Sequence, residues 1–295
     1  MSDTEASLLD YLKTYALHPL PQHALTRAVY WLTRKESALT PKVIRKFASV
    51  FNVDMNDAIE PDLAAYPTFN EFFTRALKPE ARPIASGDAA IASPADGKVS
   101  AIGNIADARI FQAKGRDYSL LSLLGGDGAA TERLGNGRFT TIYLSPRDYH
   151  RLHMPLGGRL IKQTHVPGRL FSVGPHTVRA LPDLFNRNER VIAQFETEHG
   201  LMALVLVGAM NVAAIETVWH GLVTPPQRRS ISHIDYPDTD ANGNDSAIEL
   251  ARGAEMGRFN MGSTIIVLLE NPAVWRGDIQ SGDAVRMGQL LGETS

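Results

Sequence analysis

Cysteine is absent from the 295-residue chain, which excludes a disulfide framework, a thiolate zinc site and a cysteine nucleophile. An excess of charge of either sign is absent too: 30 basic residues face 32 acidic ones, for a net charge of -2. Proteins built to hold nucleic acid carry a pronounced basic excess, so no nucleic-acid partner is expected. Charged residues are 21% of the chain and hydrophobic ones 44%, too few charges for a disordered chain and ample apolar material for a core. No run reaches the roughly 20 apolar residues that span a bilayer. The longest, Leu201 to Ile215, is broken by Gly208 and Asn211 and reads as buried strands. The opening MSDTEASLLDYLKTYA carries early acids and lacks the basic-then-apolar order of a signal peptide. No period of about 20–50 residues repeats, and the Gly-x-Ser-x-Gly elbow of the α/β-hydrolases is missing. A soluble or peripheral protein is expected.

Apolar residues recur at helical spacing up to about residue 78: Leu8, Leu9, Leu12 and Tyr15; Leu25, Val29 and Leu32; Val43, Ile44, Phe47 and Phe51. Pro21 and Pro41 separate these segments, and Thr68-Phe69-Asn70-Glu71 has the form of a capping box that predicts a helix through Leu77. From about residue 90 the pattern turns to short β-rich runs broken by glycine. Strands are predicted over 98–102, 109–112, 139–144, 159–162, 191–196, 201–207, 212–218 and 264–269. The fold class expected is α+β. An N-terminal helical region over residues 1–78 leads into a mostly antiparallel sandwich or barrel-like catalytic domain over 79–295. Thr224–Asn244, rich in Pro, Asp, Asn and Ser, reads as a loop.

Between Tyr11 and Phe47 the helical region is locally basic: Lys13, Arg27, Arg34, Lys35, Lys42, Arg45 and Lys46 stand against one acid, Glu36, with Tyr30 and Trp31 among them. Such helices either rest in a bilayer interface or pack an apolar stripe onto a core as ordinary surface helices.

Three motifs carry candidate chemistry. Ser93-Pro94-Ala95-Asp96-Gly97-Lys98 reads as a turn before a strand, in which a buried Asp96 could orient a histidine. Ser145-Pro146-Arg147-Asp148-Tyr149-His150-Arg151-Leu152-His153 has a helix-start signature. On a short helix His150 and His153 would share a face, suited to proton transfer, to packing or to a metal, although no third ligand follows locally. Gly262-Ser263-Thr264 opens an apolar strand and by itself fits a bulge or turn.

Taken together, FNEFFTRALKPEARPI (69–84), SPADGKV (93–99), YHRLHMP (149–155), VPGRLFSV (166–173), NERV (188–191), ETVWHG (216–221) and GRFNMGSTIIVL (257–268) resemble, in order, the phosphatidylserine decarboxylase family of bacterial type. Its members are proenzymes that make their own pyruvoyl cofactor. Met261 replaces the family's usual Leu, an apolar swap that cores tolerate, and Gly174 stands where similar bacterial members often have Asn.

The resemblance implies that the Ser263 hydroxyl attacks the Gly262 carbonyl, with His153 as base and Asp96 fixing its tautomer. Elimination then turns Ser263 into a pyruvoyl group, and no metal is implied. A β chain (1–262) and an α chain (263–295) would result. The pyruvoyl carbonyl would form a Schiff base with phosphatidylserine and release CO2 and phosphatidylethanolamine. His150 would protonate the carbanion equivalent, with His165 and Arg169 as substrate contacts. A homodimer of processed protomers is implied, peripheral on the cytoplasmic face of the bacterial inner membrane and acting on phosphatidylserine in an anionic phospholipid surface. Two rivals draw on the same residues: a hydrolase using Asp96, His153 and Ser263 on an external ester or peptide, and a non-catalytic membrane-binding β-domain.

Overall fold

The computed structural model describes residues 6–16, 18–113, 116–210, 214–225, 230–239, 245–260 and 264–294. Helices lead the chain: α1 (Leu8–Ala16), α2 (Gln22–Thr33), α3 (Thr40–Phe51) and the short α4 (Phe69–Phe73). Pro41 lies in the first turn of α3, where its missing N–H is no loss, and Asn52 closes the helix in left-handed backbone, φ 54°.

The first two helices are amphipathic in the opposite sense to an ordinary surface helix. Asp10 and Thr14 of α1 and Gln22 and Thr26 of α2 are buried, while Leu8 (76% exposed), Leu9, Leu12, Trp31 and Leu32 face outward. Polar contacts attach them: Arg179 Nη2 donates to Asp10 Oδ1 at 3.0 Å, and Leu170 N–H donates to Gln22 Oε1 at 3.0 Å. The reading in which the apolar stripe packs on the core therefore fails for these helices. In α3 the inner residues are Ile44 and Ala48, which join Phe72 in a satellite cluster flanked by Phe47 and Phe69.

Thr68 caps α4 as expected, its hydroxyl accepting from Glu71 N–H at 3.2 Å. The helix nevertheless stops at Phe73 rather than reaching Leu77. Residues 76–78 instead pair with the 57–59 segment: Ile59 N–H donates to Ala76 O and Lys78 N–H to Asp57 O. A tertiary pairing has overridden local helix preference.

The strands are β1 (Ala90–Ala92), β2 (Gly97–Asn104), β3 (Arg109–Ala113), β4 (Arg116–Ser119), β5 (Arg138–Tyr143), β6 (Arg151–His153), β7 (Gly158–Val166), β8 (Arg190–Thr197) and β9 (Gly200–Val207). After them come β10 (Ile215–Thr217), β11 (Gly221–Thr224), β12 (Ser232–Asp235), β13 (Glu249–Leu250), β14 (Glu255–Phe259), β15 (Thr264–Leu269), β16 (Ala273–Trp275), β17 (Ala284–Val285) and β18 (Leu290–Thr294). A nine-stranded sheet runs β12-β7-β8-β9-β15-β5-β2-β17, with β13 also on β7; the other sheets are β11-β10-β14-β6, β1-β18-β16 and β3-β4. The pairings between strands of the large sheet are antiparallel, and that sheet does not close into a barrel among the described residues. The class is α+β with a sheet-rich body, as expected.

Strand β15 lies mid-sheet. Its six residues are buried and register with Tyr143–Arg138 of β5 on one side and Val207–Met202 of β9 on the other. A strand covered on both faces reads as a continuous apolar run, which Thr-Ile-Ile-Val-Leu-Leu is. Two segments depart from expectation. The 145–150 stretch is a turn rather than a helix. Ser145 N–H and its hydroxyl both donate to Asp148 Oδ2 at 2.7 Å, and the chain then extends into β6 to pair with β14. The Thr224–Asn244 stretch contains β12, an edge strand on β7, and otherwise includes residues 226–229 and 240–244, which lie outside the described residues.

Candidate active site

The SPADGKV segment enters β2 where that strand lies against the end of β5, Lys98 opposite Tyr143. Gly97 is required there by close approach: a Cβ would come within 2.4 Å of the Tyr143 carbonyl oxygen. Asp96, just before it, is 8% exposed. Arg82 Nε donates to its Oδ1 at 2.9 Å and Arg82 Nη2 to its Oδ2 at 2.6 Å, and Met287 N–H donates to Oδ1 at 2.8 Å. Arg82 Nη1 also binds Asp57 Oδ2 at 2.7 Å. This contact holds the Asp57 carboxyl below the ordinary carboxylate range.

His153 ends β6, its N–H held by the Pro94 carbonyl at 2.9 Å. Its Nδ1 lies 2.9 Å from the Gly253 carbonyl oxygen. A carbonyl only accepts, so Nδ1 carries the proton and the Nε2 lone pair is left to receive the Tyr149 hydroxyl, 3.1 Å away. Burial pushes the His153 pKa below 6.5, outweighing the Gly253 carbonyl, Glu255 and Asp96, which favour the cation. His153 is thus a neutral imidazole with its lone pair on Nε2, the form a general base requires. Its tautomer is fixed by Gly253 rather than, as expected, by Asp96, whose oxygens are taken by Arg82 and Met287. Asp96 reaches His153 through space, as a negative charge.

His150 is fully buried, its ring 4.1 Å from that of Phe73. Nδ1–H donates to the Asp148 carbonyl at 2.8 Å, and Nε2 has no partner among the described residues. Burial lowers its pKa to about 3. The expected proton donor therefore presents a lone pair. The shared helical face also gives way, since His150 belongs to the turn and His153 to the strand.

Met261, Gly262 and Ser263 lie outside the described residues, but the residues on either side are well fixed. Phe259 N–H donates to the His150 carbonyl at 3.0 Å. Asn260 is buried, its Nδ2 donating to Glu216 Oε1 at 3.0 Å, and its Oδ1 has no partner among the described residues. Glu216 is itself held by Arg258 at 2.6 Å and Arg34 at 3.3 Å. Beyond the segment, Thr264 sits between Tyr143 and Val207, its hydroxyl buried and likewise unpartnered among the described residues.

Two cavities open at this end of the sheet and share Tyr143. One, of about 320 Å³, is mainly apolar, bounded by Phe47, Phe51 and Phe73, by Leu144 and Pro146, by Ser172–Gly174 and by Ala209 and Met210. The other, of about 510 Å³, is charged and includes Arg75, Arg82, Asp96, Lys98, Asp148 and Tyr149. Asn188, fully buried, ties two walls of the apolar cavity together, donating to Phe171 O at 2.8 Å and Gly208 O at 2.9 Å. Gly174 lines that cavity.

Of the sequence candidates, Asp96 lines the charged cavity, while His150 and His153 line neither cavity but adjoin its wall at Tyr149, His150 as the next residue and His153 through the Tyr149 hydroxyl. His165 and Arg169 do not line either cavity. His165 is buried 3.0 Å from Glu189, and Arg169 is exposed and donates to the His18 carbonyl at 2.9 Å. Tyr149 and Arg82 escaped the sequence reading. Tyr149 stood four residues before His153, a spacing that was visible, whereas nothing in the sequence singled out Arg82 as the partner of Asp96. Among the described residues no group of three or more His, Asp or Glu side chains is placed to hold a metal.

Comparison with known proteins bears on the same segments. A family model described as phosphatidylserine decarboxylase matches residues 69–293, and a second, described as PSD, matches residues 12–52. The chain is 54% identical to a phosphatidylserine decarboxylase proenzyme of Alkalilimnicola ehrlichii, over 98% of each chain. It is 48% identical to one of Nitrosococcus oceani over 97% of this chain and 92% of the relative. A third such proenzyme, of Methylococcus capsulatus, is 50% identical over 92% and 93%.

Proposed function

The chain belongs to the phosphatidylserine decarboxylase family of carboxy-lyases, and from that premise we propose that it cuts itself between Gly262 and Ser263 and then converts phosphatidylserine to phosphatidylethanolamine and CO2. One observation carries the reading. The residues bracketing positions 261–263 are bonded to His150 on one side and to Tyr143 on the other, beside a neutral imidazole and a cavity lined with phenylalanines.

In the self-cleavage reading, Ser263 supplies the hydroxyl that attacks the Gly262 carbonyl, and His153 Nε2 accepts its proton. Asp96 stabilises the imidazolium so formed by its charge alone, and Arg82 and Met287 hold Asp96 in place. The resulting ester is then opened by elimination, and the dehydroalanine, as its imine tautomer, takes up water and releases ammonia to leave a pyruvoyl group at the head of residues 263–295. That group supplies a carbonyl that captures the substrate amine and draws off the electrons of the breaking carbon–carboxylate bond. The surroundings suit such a group: the Thr264 hydroxyl, buried and without a partner among the described residues, can donate to one of its oxygens, and the 320 Å³ cavity opens at Thr264's end of the sheet. His150, whose Nε2 lone pair has no partner among the described residues, orients the substrate amine by accepting a hydrogen bond from it.

Among the described residues no helix is long and apolar enough to cross a membrane. The outward leucines of α1 and Trp31 of α2, set among basic residues, support peripheral docking on the anionic cytoplasmic leaflet, where each Lys or Arg near the surface is worth about 1 kcal/mol.

A denaturing gel of freshly expressed protein should show two fragments, residues 1–262 and 263–295, with a pyruvoyl at the head of the smaller one by mass spectrometry. Ser263→Ala should remain intact. An intact wild-type chain that is labelled by a serine-reactive phosphonate would replace this reading with the hydrolase.

A further inference from the structure

Asp57, Arg82 and Asp96 all line the 510 Å³ charged cavity, and Arg82 stands between the two carboxylates. It grips Asp96 with Nε and Nη2 and turns Nη1 to Asp57 Oδ2 at 2.7 Å. Both acids hold the guanidinium protonated, Asp96 the more strongly. Asp57 comes from the segment between α3 and α4, which is itself anchored. Lys78 N–H donates to the Asp57 carbonyl at 2.9 Å, and Lys78 Nζ to the Asn56 carbonyl at 2.8 Å. The side chains of Arg82 and Asp96 are nearly buried, whereas that of Asp57 is 34% exposed.

A two-pronged arginine does two opposite things to Asp96: it fixes the carboxylate and it cancels the charge. His153 needs that charge, because Asp96 acts on the imidazole only through space. A carboxylate neutralised by its own arginine offers an imidazolium little. The second carboxylate, on the far side of the guanidinium, changes the balance. Two acids against one base leave the group with a net negative charge; without Asp57 it would have none. We infer that Asp57 is a positioning residue for self-cleavage: it occupies the outer edge of Arg82, so that Asp96 is held in place and still counts as an anion at His153. The inference rests on the proposed self-cleavage and gives a part in it to a residue of the N-terminal region, ahead of the motifs that carry the chemistry.

The other charges nearby come largely in opposed pairs. Glu255 of β14 and Arg151 of β6 face His153 and are bound to each other at 3.0 Å, while the Tyr149 hydroxyl faces its Nε2. Arg75 and Asp148, one of each sign, flank Asp96. Lys78 and Arg286 face Asp57 from the exposed side, where solvent screens them.

The test uses the uncut Ser263→Ala chain. The His153 pKa is read there from the ring proton shifts as the pH is varied, with His153→Gln identifying the signal. Asp57→Asn keeps an oxygen that can accept from Arg82 and loses only the charge. It should lower the His153 pKa by about half a unit, the scale on which one charge acts over roughly 10–15 Å of protein. Asp57→Glu should restore the wild-type value. Asp54→Asn removes a charge from the same cavity, but one whose carboxylate accepts from Asn56 N–H instead, and it should move the pKa less. In the chain that retains Ser263, Asp57→Asn should slow self-cleavage about threefold on the pH plateau, the same half unit expressed as a rate, and carry the acid limb to lower pH. An unmoved His153 pKa in folded Asp57→Asn overturns the inference and leaves the decarboxylase reading intact. So does an equal shift from Asp54→Asn, which would make any charge in the cavity equivalent. A wild-type chain that never cuts itself overturns the decarboxylase reading, and with it the role given to Asp57, whatever the titration shows.

Discussion

At His153 the two ring nitrogens have different partners, and the difference sets the tautomer. The Gly253 carbonyl keeps a proton on Nδ1, while the Tyr149 hydroxyl donates to the Nε2 lone pair. A donor on the lone pair favours the neutral ring, so removing it raises the pKa. Tyr149→Phe should therefore move the acid limb of self-cleavage to higher pH, by up to about one unit for a hydrogen bond of roughly 0.5–1.5 kcal/mol. A rate–pH profile of folded Tyr149→Phe that superimposes on wild type would remove Tyr149 from the account. His150 gives the second residue-scale prediction. Its folded pKa, about 3, lies below the ordinary 6.5, so the unfolded chain binds a proton that the folded one refuses. Stability is intact above pH 6.5 and declines as the pH falls toward 3. His150→Gln should flatten the pH dependence of the urea midpoint in that window. The nearness of Asp96 and His153 was partly legible in the sequence because each sat in a recognisable motif. The bond between Arg82 and Asp96 was not, since many arginines could have met that carboxylate and only the folded chain selects one.

Among the elements, strands read more plainly than helices. Thr264–Leu269 announces itself as an uninterrupted apolar run, and its observed bounds match the sequence reading. The capping box before α4 was equally visible and equally real, yet the helix it begins lasts five residues, because the 57–59 segment competes for the backbone beyond it. The turn at 145–150 shows the same limit: a helix-start signature also serves a tight turn when Asp148 folds back on Ser145 and β14 recruits the next residues. Helix α1 has a legible apolar stripe whose direction was undecided, since period alone does not say which face looks inward. Its attachment through Asp10 and Arg179 leaves Leu8, Leu9 and Leu12 outward. Replacing those three with Ser should reduce sedimentation with anionic vesicles several-fold and leave self-cleavage at the wild-type rate. Unchanged sedimentation would show that docking does not use α1.

Across the whole molecule, the segment after the proposed cut is woven into more than one sheet. Strand β15 lies between β5 and β9, β17 pairs with β2, and β16 and β18 form a sheet with β1. A 33-residue piece is too small to fold alone, yet here six paired positions on each side of β15 hold it. The two fragments should elute together from a gel-filtration column in native buffer and separate only in denaturant; free small fragment in native buffer would contradict the sheet order. The same placement orders events in time. The central strand of the large sheet follows both β5 and β9 along the chain, so those two strands must wait for it as unzipped neighbours. The proposed junction at 262–263 is set in place only when β15 slides into the gap between β5 and β9. On the proposed reading, insertion of that one strand becomes the licence for chemistry.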